Sequence, residues 1–185
     1  SCGVSALNAL RREALEQLLA LRQEREPYPW REKGLGFAPH PRREGPLPLR
    51  AQFRQVEQLC PQAKACREIV LPLETELSRL EELRRKGWGP LLLDIPRALF
   101  GTENRTAQKI EQCIAAGFDQ FLCGNLGAVA LVRALGGTAH GSFSLNVANT
   151  ASLDFLQDLG LASGEVSFEL TARETARLGG TLPRG

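Results

Sequence analysis

The feature that most constrains this chain is a repeat. Short apolar segments end near Leu71, Ile95, Cys123, Val147 and Phe168, at intervals of 24, 28, 24 and 21 residues. The candidate strands cover 67–71, 91–95, 120–123, 142–147 and 165–168, with a weaker one within 47–53. One strand, one helix and two short loops occupy about that length in a right-handed βαβ unit. Five or six such units in succession predict an α/β fold with a parallel sheet, either open or curled into an incomplete (β/α) TIM-like barrel. A complete eight-stranded barrel typically takes about 250 residues, and this chain has 185.

The segments between the strands carry helix punctuation. Ala107, Ile110 and Ile114 form a stripe that stops at Gly117. Asn125 caps a second helix that ends at Gly136 and Gly137, and Thr150 is the candidate cap of a third, which carries Leu153, Leu156 and Leu159 and stops at Gly160. Thr171 and Glu174 have capping-box spacing for a last, short helix. Ahead of the repeat, Leu7, Leu10, Ala14, Leu18 and Leu21 predict an amphipathic helix with Ser5 as its cap. The organisation expected is an N-terminal helix over 1–26, a Pro/Gly-rich connector over 27–48 and a β/α-repeat partial barrel over 49–185. Tyr28 and Trp30 beside Arg31, Arg42 and Arg43 are the pattern of a single-stranded nucleic-acid contact. At the modest local charge they are read here as anchors of a linker.

The 23 Lys and Arg against 21 Asp and Glu leave a net charge of +2, which gives no electrostatic case for a general nucleic-acid binder. No apolar run approaches the roughly 20 residues of a membrane span, and residues 1–8 lack the pattern of a signal peptide. The chain has no methionine, not even at position 1, so an excised or processed segment is expected. Its five cysteines, Cys2, Cys60, Cys66, Cys113 and Cys123, form no C-x-x-C pair. An odd number without that pair speaks against a disulfide framework or a structural zinc site and favours a cytoplasmic location. Cys60 and Cys66 flank a turn-like stretch and are expected as solvated or half-buried thiols.

Parallel α/β folds place their sites at the carboxyl ends of the strands. Polar residues there carry the functional expectations. In His140-Gly-Ser-Phe-Ser-Leu-Asn146-Val, period-two alternation sets His140, Ser142, Ser144 and Asn146 on one face. Ser167 and Glu169 repeat the pattern in the next strand. The candidate catalytic residues are His140 as base, Glu169 as acid or metal ligand, and Cys123 as nucleophile. Asp94, Arg97, Asn125, Ser144, Asn146 and Asn149 are the candidate substrate-binding residues. Each has a quieter reading. Asp94 turns the chain and pairs with Arg97, Asn125 and Asn149 cap helices, Cys123 is a small buried hydrophobe, and His140 is a satisfied core histidine. His140, Glu169 and Asp94 also have the residue types of a metal site, though no metal is assigned. No phosphate loop, serine elbow or zinc-protease helix motif is present.

These same stretches resemble the collagenase-like peptidases of the U-32 family. The resemblance runs through Leu7-Asn-Ala-Leu-Arg-Arg-Glu-Ala-Leu15, Ile69-Val-Leu-Pro-Leu-Glu74 and Leu93-Asp-Ile-Pro-Arg97. It is strongest in Gly124-Asn-Leu-Gly127, His140-Gly-Ser-Phe-Ser-Leu-Asn-Val-Ala-Asn149 and Ser167-Phe-Glu-Leu-Thr171. It implies a bacterial cytosolic protein with a partial barrel that hydrolyses collagen or other protein substrates. Some relatives look instead like partners in hydroxylation of RNA or of a quinone precursor, with an iron–sulfur cluster held by cysteines. The resemblance places that cysteine-rich part after the final barrel strand, so no cluster is expected in this segment. The remainder of its own polypeptide is then its partner, and the isolated segment is expected to be inactive.

Overall fold

The computed structural model describes residues 3–24 and 49–178, in two units, Ser1–Gly36 and Phe37–Gly185. The expected connector over 27–48, with His40, and Cys2 lie outside the described residues. In the first unit, α1 (Val4–Gln23) follows Gly3 as its N-cap, so Ser5 sits inside the helix rather than capping it. Leu7, Leu10, Leu18 and Leu21 are exposed along it.

The second unit is built on one sheet of six parallel strands in sequence order. These are β1 (Arg50–Gln52), β2 (Glu68–Pro72), β3 (Leu91–Asp94), β4 (Gln120–Cys123), β5 (Thr138–Gly141) and β6 (Ser163–Gly164). The intervening helices are α2 (Leu77–Arg85), α3 (Glu103–Ala115), α4 (Leu126–Ala134) and α5 (Thr150–Asp158), and α6 (Ala172–Thr175) follows β6. The sheet curls into a half-barrel, the incomplete α/β barrel expected from the repeat. No described helix is long and apolar enough to cross a membrane.

Alternation along each strand sorts side chains onto two faces. Ile69, Leu71, Leu91, Leu93, Phe121, Cys123 and Ala139 point outward into one continuous core. They pack there against Leu80 and Leu83 of α2, Ile110 and Cys113 of α3, Ala128, Val129 and Val132 of α4, and Leu153 and Leu156 of α5. Each fully buried leucine or isoleucine contributes about 1.5–3 kcal/mol by leaving water, so this layer dominates the stability. Val70, Leu92 and Leu122 face the other way and form a small separate cluster inside the curl. Helix ends follow the expected chemistry. Gly117 and Gly136, at φ of 80° and 84°, terminate α3 and α4 in the left-handed region where a Cβ is unfavourable. Asn125 caps α4 through Ala128, and Thr171 and Glu174 close the capping box of α6. The cap of α5 is Asn149, in a capping box with Ser152, rather than Thr150.

Two strands lie earlier than the repeat spacing predicts. β5 ends at Gly141, and 143–145 form a 3-10 turn instead of a strand. Asn146 then takes φ 54° and ψ 51°, a left-handed conformation that no strand accommodates and that asparagine tolerates better than most residues. The expected polar face of His140, Ser142, Ser144 and Asn146 is therefore not formed. Likewise β6 is Ser163–Gly164, and beyond it only a single bridge joins Val147 to Val166. Ser167 and Glu169 thus share no strand face. Alternating Ser, Asn and Phe imitates a half-buried strand, whereas the small residues Gly141 and Ser142 let the chain turn instead.

Candidate functional site

The interior of the curl is polar at its two edges. Arg50 of β1 donates from Nε to Glu68 of β2 at 2.8 Å, and from Nη2 to Ser163 Oγ of β6 at 3.1 Å. Its Nη1 reaches Glu165, just past β6, at 3.2 Å. Six strands laid flat would separate β1 from β6 by roughly 24 Å, at ~4.8 Å per strand. An arginine side chain cannot bridge that distance, so this contact is a direct consequence of the curl.

His140 extends the network. Its Nε2 lies 2.9 Å from Gln120 Oε1, which only accepts, so Nε2 carries the proton. Nδ1, 2.7 Å from Ser163 Oγ, then accepts from that hydroxyl, which itself accepts from Arg50. Burial, and then the Arg50 charge, push the His140 pKa below its ordinary value, against a smaller opposing pull from Glu68. The imidazole is 6% exposed, and both of its nitrogens are engaged. This is the satisfied histidine of the quieter reading.

Cys123 is not beside it. The register pairs Leu122 with His140 and Cys123 with Gly141, so thiol and imidazole point to opposite faces of the sheet. Cys123 is fully buried in the helix-side core, and desolvation pushes its thiol up to about 12. A thiol held neutral in this way is a poor nucleophile. Glu169 occupies an exposed turn after β6, and among the described residues its carboxylate makes no hydrogen bond to His140.

The groups that do converge stand at the carboxyl ends of β1, β3 and β6. Asp94, the last residue of β3, accepts from Gln52 Nε2 of β1 at 2.8 Å rather than pairing with Arg97. Burial first, then the negative charges of Glu165 and Glu74, raise the Asp94 pKa to about 6, only partly offset by the Gln52 hydrogen bond. Glu165 stays anchored by Arg50 and by the Phe143 N–H, 2.8 Å from its Oε2. The 3-10 turn over Phe143–Leu145 therefore hangs over this mouth, and the Phe143 ring packs on Phe168 with centroids 5.3 Å apart.

Beside the mouth, three of the expected binding residues meet around the β4–α4 loop. Asn125 Nδ2 donates to Arg97 O at 2.8 Å, and Ser144 Oγ donates to Gly124 O at 2.9 Å. A Cβ on Gly124 would stand 2.7 Å from Ser144 Oγ, so this approach requires glycine. Asn146 and Asn149 are exposed, the first ending the 3-10 turn and the second capping α5.

Six site residues, Arg50, Gln52, Glu68, Gln120, Ser163 and Glu165, were not among the expected ones. Their signal was alternation in short strands: Arg50 and Gln52 about Ala51, and Glu68 at the head of an apolar run. Cys60, Cys66, Cys113 and Cys123 are free, and no three His, Cys, Asp or Glu side chains among the described residues are grouped to hold a metal ion. The described residues therefore do not fit an iron–sulfur cluster, and His140, Glu169 and Asp94 do not form a ligand set. The chain matches no family model, no curated protein and no solved structure.

Proposed function

We propose that this chain forms the catalytic face of a hydrolase of the collagenase-like U-32 kind, cleaving peptide bonds at the mouth of the curled sheet within its full polypeptide. The observation that carries this reading is Asp94. It is a half-buried carboxyl at a strand's carboxyl end, pushed to about 6 and oriented by Gln52. A carboxyl with that pKa is suited to proton transfer near neutral pH. In its ionised form Asp94 takes a proton from a water whose oxygen adds to the scissile carbonyl. As the C–N bond breaks, the same proton passes to the departing amine. The Phe143–Phe168 pair offers an apolar bank for a substrate side chain, and Ser144, Asn125 and Arg97 border the adjoining loop. His140 supports the site from beneath through Ser163 and Arg50.

The test is cleavage of casein or gelatin by the full-length protein. Abolition by Asp94→Asn, with Glu169→Ala and Cys123→Ser retaining activity, supports the assignment. Full activity in Asp94→Asn refutes it.

A second reading has its own observation. Cys123 is sealed in the core and His140 is occupied at both nitrogens, which leaves no nucleophile–base pair. In this reading the polar mouth is a substrate-binding scaffold in an RNA- or quinone-precursor-hydroxylating protein of the same kind. Anaerobic purification of the full-length protein separates the two. Bound iron without peptidase activity favours the scaffold, and an iron-free peptidase favours the hydrolase.

A further inference from the structure

A second groove, of about 510 Å³, lies outside the curl, where the loops leaving β2 and β3 meet α3. That volume falls within the range of about 300–1,000 Å³ typical of small-ligand sites. Pro96 and Ala98 give it an apolar wall, and α3 lines it with Arg105, Thr106 and Lys109. Thr106 is only 6% exposed, yet its hydroxyl makes no hydrogen bond among the described residues. A buried hydroxyl without a partner is unusual and calls for a group that completes it. Arg105 is exposed and has no ion pair among the described residues. Lys109 donates from Nζ to Thr75 O at 3.1 Å and keeps further N–H groups for a ligand. Glu74 is the one carboxylate lining the groove, so the lining carries a single net positive charge. The first turn of α3 carries Glu103, which offsets the partial positive charge of the helix start, so the positive charge of the groove comes from Arg105 and Lys109.

We propose that this groove binds a small phosphomonoester. The Thr106 hydroxyl donates to a phosphate oxygen, Arg105 and Lys109 balance its charge, and the organic body rests on Pro96 and Ala98. Guanidinium, ammonium and hydroxyl donors together match a tetrahedral oxyanion with several acceptor oxygens. The apolar wall and the size of the groove are more than a bare phosphate ion uses. The proposal does not rest on the hydrolase reading, because Arg105, Thr106 and Lys109 take no part in it, although the two sites adjoin at Glu74, which lines this groove and whose charge also acts on Asp94.

Calorimetric titration of the 185-residue chain at constant ionic strength tests it, with glycerol 1-phosphate, inorganic phosphate and glycerol as probes. Saturable binding of glycerol 1-phosphate is expected, tighter than that of inorganic phosphate, with none for glycerol. Arg105→Gln should weaken it at least tenfold and Thr106→Val at least fivefold. Because the Thr106 hydroxyl lacks a partner among the described residues, Thr106→Val should leave the ligand-free Tm unchanged or raised. Should Thr106→Val fail to fold, the exposed Arg105→Gln still decides the matter. Absence of binding, or binding indifferent to Arg105→Gln, overturns the proposal. Equal affinity for inorganic phosphate and glycerol 1-phosphate overturns the assignment to a phosphomonoester.

Discussion

Arg50 Nη1 stands 3.2 Å from the Glu165 carboxylate, joining the first strand of the sheet to the residue that follows the last. The same guanidinium holds Glu68 on the neighbouring strand at 2.7 Å. All three side chains are at most 20% exposed; among the described residues Glu165 has this one cation, while Glu68 also has Arg67 Nε at 3.7 Å. Removing one partner of a largely buried ion pair leaves the other charge uncompensated and costs about 3–5 kcal/mol. Arg50→Met should therefore destabilise the chain by about 3 kcal/mol in urea unfolding. Arg50→Met combined with Glu165→Gln should recover part of that loss. A loss within about 0.5 kcal/mol of zero, as at an ordinary surface site, would mean that the edges are not tied this way.

Asp94 makes an opposite contribution. Its folded pKa of about 6 lies above the ordinary 3.8, so the folded chain binds a proton more tightly than the unfolded chain. Stability contributed by the protonated form is full below about pH 4 and is lost as pH rises through about 6. Asp94→Asn should stabilise the chain at pH 7 by about 1 kcal/mol, a figure discounted for solvent screening. The gain should vanish near pH 4. Equal effects at the two pH values in paired urea melts would remove the basis for a raised Asp94 pKa.

His140 shifts the other way. Its pKa is lowered by burial and by Arg50, so the folded state favours the neutral ring. The unfolded chain takes up a proton first as pH falls through about 6.5, and stability falls with it. Imidazole NMR should show His140 as the Nε2–H tautomer, still neutral at a pH where an exposed histidine is half protonated. A His140 titration at the ordinary midpoint would contradict the Gln120–His140–Ser163 chain.

Gly124 and Ser144 form a third testable pair, because a Cβ at position 124 would meet Ser144 Oγ at 2.7 Å. Gly124→Ala should cost about 1–2 kcal/mol by overpacking. Adding Ser144→Ala should return much of it, a coupling that a double-mutant cycle measures. Strict additivity would show that the loops do not touch there.

The sheet was legible because its order follows from chemistry repeated along the chain: apolar runs, capping residues such as Asn125 and helix-ending glycines such as Gly136. The ends of β5 and β6 were not. Ser142, Ser144 and Asn146 alternate as a strand would, and only the three-dimensional turn with its left-handed Asn146 reveals otherwise. The site was partly legible for the same reason. Asp94 ends β3 and Asn125 follows the end of β4, where position alone marks them, whereas Ser144 was marked by an alternation that belongs to a 3-10 turn. Arg50, Ser163 and Glu165 act across the two edges of the sheet, and a contact between residues 115 positions apart leaves no local pattern. Cys123 and His140 look like a catalytic pair by residue type, and a one-residue offset in register turns them to opposite faces.

The central claim is that the mouth of the curled sheet works through Asp94. The most direct measurement is the pH dependence of casein or gelatin cleavage by the full-length protein, with and without Asp94→Asn. The account predicts a rate that rises through about pH 6 as Asp94 ionises. It also predicts a loss of about 10²–10⁴-fold in the variant, the usual contribution of a general base. A variant that cleaves at the wild-type rate with the same pH profile would contradict it.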